Sequence, residues 1–131
     1  MGRFGKLMIA LVAALGATFV AAGDANAESG LHCNLHVCFD VHGTGLNVTS
    51  ADGYYANSTY HWYCGYMILF VNGTVRYSSP SVCTAPWGWG ATPMHININR
   101  SYASGTQICA EIRGTQGHSN LAGHPCITVH S

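Results

Sequence analysis

Charge is what this chain has least of. Only 8% of its 131 residues are Asp, Glu, Lys or Arg, against about a quarter in an ordinary globular domain. Beyond residue 27 the formal charges are Glu28, Asp40, Asp52, Arg76, Arg100, Glu111 and Arg113, and lysine is missing altogether. This scarcity excludes a basic stripe that could displace counterions from nucleic acid, and a polybasic segment for an anionic membrane surface. No partner of either kind is expected. Helical signals are missing too: after Glu28 there is no 3.6-residue apolar period and no capping box leading into an apolar run. Four acids scattered over that part of the chain offer no obvious pair flanking a cleft, as acid-catalysed hydrolysis requires.

The one long apolar run lies at the start. Arg3 and Lys6 precede "LMIALVAALGATFV", which is followed by a small-x-small "ANA" before Glu28. This order reads as an export signal over residues 1–27, and the run is short beside the ~20 residues of a membrane span. The Ala-rich leader and its cleavage site are of a bacterial type. Removal of residues 1–27 leaves 28–131, a single secreted domain by length, with no membrane attachment. Solubility then rests on Ser, Thr, Asn, Gly and eight histidines, all of them after residue 27. Histidines with an ordinary pKa near 6.5 would make this near-neutral surface positive in mild acid.

All six cysteines, Cys33, Cys38, Cys64, Cys83, Cys109 and Cys126, also follow the cleavage site. An even number in a small exported chain reads as three disulfides. This bears on the densest cluster of potential ligands, "HCNLHVCFDVH" at residues 32–42, because an oxidised cysteine does not ligate a metal. The stretch from Leu31 alternates as a strand, with Leu31, Cys33, Leu35, Val37, Phe39 and Val41 on one side. In that strand His32 and His36 stand about 13 Å apart, too far to share an ion. Asp40 and His42 could meet one only with help from a neighbouring strand. The spacings of structural zinc sites are absent, so neither a metal nor another cofactor is expected.

Strand patterns continue through "GLNVT", "MHININ", "TQICAEIR" and "CITVH", separated by turn-rich stretches such as "SADG" and "RSYASG". The strongest hairpin signal is Asn72-Gly73 between two β-rich runs. A two-residue turn there pairs Val71 with Thr74, and a four-residue loop pairs it with Arg76. Either register places Cys64, Ile68 and Phe70 on one face with Val75, Tyr77 and Cys83, and the longer loop sets Cys64 directly opposite Cys83. By the same parity Cys109 and Cys126 match on the face opposite Ile108, Ala110 and Ile127. Cys33 and Cys38 are left to each other, although a straight strand would hold them roughly 16 Å apart, so "CNLHVC" must bend for them to bridge. The expected fold is all-β: a small antiparallel β-sandwich, disulfide-stabilised and Ig-like in general architecture, with the Cys-Trp-Cys spacing of true Ig domains absent.

The aromatic residues carry the functional expectation. Tyr54, Tyr55, Tyr60, Trp62, Tyr63 and Tyr66 crowd one segment, where Tyr66 is assigned to the core because it shares the Cys64 face. Trp87 and Trp89 stand in "APWGWGATP", a Gly/Pro loop with no strand period. Indoles in such a loop are hard to bury. Trp87 and Trp89, with Tyr54 and Tyr55, are therefore the candidate ligand-binding residues of a non-catalytic extracellular binding protein, its ligand a glycan or another surface molecule. The alternative is an inhibitor or toxin-like protein engaging a protein target through the loop at residues 114–125. Metal binding by the histidines is a weaker third reading. "GHSNLAG" sets a serine beside a histidine, yet it is not a nucleophile elbow.

Overall fold

The computed structural model describes residues 26–27, 30–56 and 60–130. The described residues form ten strands: β1 (Asn26–Ala27), β2 (Leu31–Asn34), β3 (Val37–Thr44), β4 (Asn47–Tyr55), β5 (Tyr63–Val71), β6 (Thr74–Ser78), β7 (Val82–Thr84), β8 (Met94–Ser101), β9 (Gln107–Gly114) and β10 (Cys126–His130). No helix occurs among them. One sheet runs β1-β10-β9-β5-β6, with β7 also beside β5, and the other runs β2-β3-β4-β8. Every pairing is antiparallel. The two sheets bury their facing sides against each other as a β-sandwich. The export signal falls almost wholly outside the described residues, except that Asn26 and Ala27 pair with His130 and Val129. Cleavage after Ala27 would detach that short strand.

Alternation selects the core. Phe39 and Val41 of β3, Met67 and Leu69 of β5, and Ile108, Ala110 and Ile112 of β9 are fully or almost fully buried between the sheets. Each of these side chains other than that of Ala110 contributes roughly 1.5–3 kcal/mol by leaving water. At Gly53 the sheets come close: a Cβ there would stand 2.5 Å from the Met67 sulfur.

The bridges are Cys33–Cys38, Cys64–Cys83 and Cys109–Cys126. Cys109 and Cys126 face each other across β9 and β10, as their parity requires. The stretch read as one strand from Leu31 is instead a hairpin, with β2 and β3 joined at Leu35 and His36. Leu35 takes a φ of 50° and is 63% exposed, so it is not on the Val37 face. The turn is held by three bonds: His36 N–H donates to Ala122 O, Ala56 N–H donates to His36 O, and His36 Nδ1 lies 3.2 Å from Ala56 O. Alternation could not show it because Leu35 keeps the parity of its neighbours. The fold-back sets Cys33 opposite Cys38, which removes the 16 Å separation of an extended strand, and the same turn removes the straight-strand spacing of His32 and His36.

The Asn72-Gly73 turn is the two-residue kind, with φ of 48° and 80° and Val71 opposite Thr74, as a type I′ turn demands. A β-bulge then interrupts β6: Phe70 pairs with Val75, but Leu69 pairs with Tyr77. The extra residue is Arg76, and its insertion moves Tyr77 from the outer face to the inner one, where it packs against the core. Cys83 meets Cys64 through the separate strand β7, so no four-residue loop is needed. Tyr66 is only half-buried. The inner face of β5 belongs to Tyr63, Met67 and Leu69, one residue out of step with Cys64.

Candidate ligand-binding groove

The loop between β7 and β8 is built to hold its shape. Thr84, buried at its start, donates to Ala85 O and accepts from Thr92 N–H at 2.6 Å, so one hydroxyl ties the two ends of the loop together. Trp87 N–H donates to Tyr55 O at 2.9 Å, fastening the loop to the end of β4. Trp89 N–H donates to Pro86 O, and Gly88 between them has a φ of 87°. The positive φ at Gly88, third of the four residues from Pro86 to Trp89, makes a tight turn that leaves Trp89 outward. The Cys64–Cys83 bridge anchors the strand from which the loop springs.

Trp89 is 80% exposed and Trp87 48% exposed. Trp87 sets its ring edge-on to Tyr54, with centroids 4.8 Å apart. Tyr60, His61, Ala85, Pro86 and Trp89 line an open groove of about 380 Å³. Trp62, next in the chain, is also exposed. Tyr55 does not belong to this surface. It is fully buried against Tyr63, with ring centroids 5.3 Å apart, because its odd position in β4 turns it inward while Tyr54 turns outward. Sequence reasoning missed His61 and Pro86 as groove residues and left Tyr60 unassigned. The lack of strand alternation through residues 60–62 was the available signal.

The loop at residues 114–125 meets the same end of the molecule. His118 packs edge-on against both Tyr60 and Tyr63, and Tyr63 Oη donates to Ser119 O at 2.7 Å. Burial, with Tyr60 as a second cause, pushes the Tyr63 phenol up to about 12. It remains a structural donor at any ordinary pH. Asn120 Oδ1 accepts from Gly114 N–H, and Leu121 N–H donates to Ile112 O. The loop is thus stitched down, and no large exposed apolar side chain belongs to it.

A polar cluster crosses the outer face of the second sheet. Asp40, Asp52 and His95 are cross-strand neighbours on β3, β4 and β8. His42 Nε2 lies 3.3 Å from Asp52 Oδ2 and 3.6 Å from Asp40 Oδ2, while His95 Nδ1 lies 2.6 Å from Asp52 Oδ1. Asp52 and His95 of the neighbouring strands join Asp40 and His42, and the groups engage one another as His–Asp contacts. His95 Nε2 also stands 3.0 Å from Asn97 Oδ1. A neutral imidazole carries one N–H and cannot donate to both oxygens, whereas an imidazolium can. The bond to Asp52, then the bond to Asn97, raise the His95 pKa above its ordinary value.

A raised folded-state pKa contributes stability that is complete below about 6.5 and is lost as pH rises through the folded value. His95 is therefore expected to titrate above the ordinary histidine value of 6.5 by NMR. Asp52→Asn should return it towards 6.5 and remove its share of the pH dependence, whereas an unchanged titration would show that Asp52 is not the cause. Cys109, His124 and Cys126 also converge, with ligand atoms within 4.8 Å, but both sulfurs are spent in the disulfide.

No protein-family model, curated protein or solved structure matches the chain.

Proposed function

We propose that this is an exported, non-catalytic binding protein whose groove at the Trp89 end takes the sugar rings of a glycan. The observation that carries the reading is an almost fully exposed indole, held by a braced turn, at the wall of a groove that also contains Tyr60. Solvent-exposed aromatic rings clustered on rigid loops mark interaction surfaces. A groove of about 380 Å³ is at the small end of ligand sites, suited to one or two rings and not to a folded partner. Sugars offer an apolar face of C–H groups to an indole and hydroxyls at the edge, where His61 supplies a hydrogen-bonding partner. Three disulfides in a small all-β domain are typical of extracellular proteins, which supports export. The inhibitor reading is weaker because the loop at 114–125 lacks the exposed aromatic anchors that dominate protein interfaces.

The test is a titration of the protein with a panel of neutral oligosaccharides, followed by tryptophan fluorescence and calorimetry. A binding member of the panel is expected to perturb the indole emission, and Trp89→Ala should weaken that binding by at least about tenfold. Undiminished binding by the variant would move the site elsewhere. A stoichiometric complex with a protein target, lost on substitution within 114–125, would favour the inhibitor reading.

A further inference from the structure

A second cleft, of about 360 Å³, opens between the free edges of the two sheets, where β6 borders β8. It lies at the other end of the sandwich: Tyr102 N–H donates to Leu46 O just before β4, whereas the Trp87 loop is tied to Tyr55 at the end of that strand. Nine residues of strand separate them by roughly 25–30 Å. Arg76 and Arg100 both line this cleft. The third arginine among the described residues, Arg113, pairs with Glu111 at 3.0 Å. Asp40 and Asp52 are engaged by histidines on the outer face of the other sheet. In a chain so poor in charge, two cations share one cleft with no acid lining it.

The backbone brings them there. Arg76 is the extra residue of the β6 bulge, which lets the consecutive residues Arg76 and Tyr77 both line the cleft. Bulges commonly re-aim a side chain beside a site. Arg100 pairs with Val48, whose side chain is in the core, so it stands on the inward face at the sandwich's open edge. Asn99, just before it, has a φ of 50°, and the β4–β8 register slips between Val48 and Ser50.

The remaining polar groups offer mainly hydrogens. Asn72 Oδ1 is occupied by Gln107 N–H, which leaves the Asn72 amide N–H groups to face outward partners. Tyr77 and Tyr102 share one hydrogen bond of 2.7 Å between their hydroxyls, so the second hydroxyl hydrogen of that pair is unspent. Thr74 adds another hydroxyl. Two guanidinium forks, an amide and hydroxyl donors around one space match an oxyanion, since guanidinium binds such groups in pairs of parallel bonds.

We infer that this cleft binds an oxyanion, a carboxylate, sulfate or phosphate group carried by a small molecule, independently of the aromatic groove. Amide NMR of the protein titrated with inorganic sulfate, inorganic phosphate and acetate, at constant ionic strength against chloride, tests it. At least one of the three is expected to give saturable shifts confined to residues around Asn72, Thr74, Arg76 and Tyr102, and their order separates a planar from a tetrahedral preference. Arg76→Gln and Arg100→Gln should each weaken binding at least about tenfold. Arg76→Lys, keeping the charge and losing the fork, should fall between and serves if the Gln variant folds poorly. Trp89→Ala should leave this site unchanged. Unsaturating shifts spread over the surface, or saturation that survives in the Arg76→Gln/Arg100→Gln double variant, would overturn the inference. So would a double variant whose only change is self-association, because inward-turned charges on free sheet edges also guard against edge pairing.

Discussion

Full reduction of the disulfides is expected to unfold this protein. The Cys64–Cys83 and Cys109–Cys126 bridges close loops of 19 and 17 residues, and Cys33–Cys38 closes one of 5. Loop-closure entropy assigns about 3 kcal/mol to each of the longer loops and about 2 kcal/mol to the short one. Together they rival the whole stability of a small domain, about 5–15 kcal/mol. Paired Cys→Ser variants resolve the ranking through urea midpoints: loss of Cys64–Cys83 or Cys109–Cys126 should cost more than loss of Cys33–Cys38. The reverse order would mean that the bridges act through contacts in the folded state and not by restricting the unfolded chain. The Cys33 to Cys38 hairpin also has support that its bridge does not supply, from the backbone bonds of His36 to Ala122 and Ala56.

Tyr55→Ala should destabilise the fold by about 3–5 kcal/mol, the range for emptying a large buried aromatic site. Tyr55 is fully buried in the core, and its removal would leave a void beneath the point where the Trp87 loop is tied on. Tyr55→Phe should cost under about 1 kcal/mol, because the hydroxyl reaches Tyr60 O only at 3.5 Å. Trp89→Ala should likewise cost under about 1 kcal/mol, since an 80% exposed side chain has few core contacts to lose. Chemical denaturation of the three variants separates a structural tyrosine from a surface tryptophan although both are aromatic and lie close together. A Trp89→Ala loss as large as that of Tyr55→Ala would make the indole part of the fold and remove the basis for the groove.

Much of the architecture was written in local patterns. Alternation in residues 94–98, 107–112 and 126–130 marked strands, Asn72-Gly73 marked its turn, and the parity of Cys109 and Cys126 paired them. The errors share one cause. Alternation reports which residues have the same parity, and it cannot register a turn or a bulge that preserves or inserts a position. Leu35 hid a hairpin in this way, and Arg76 hid the bulge that reversed Tyr77. Tyr66 shares the bridge-bearing face of β5, and that face is not the core face.

By itself the sequence determined the composition-level facts and the all-β class: few charges, six cysteines of which four stand at positions suited to cross-strand bridges, and indoles in a segment that no strand period could bury. These follow from neighbours in the chain and from covalent chemistry. The tertiary structure alone decided which side chains converge. Arg76 and Arg100 come from edge strands of different sheets, His95 and Asp52 meet across 43 positions of sequence, and Tyr60 and Trp89 line one groove. Such meetings depend on strand order, register and the packing of one sheet on the other, which are properties of the folded chain as a whole and leave no mark in the spacing of residues along it.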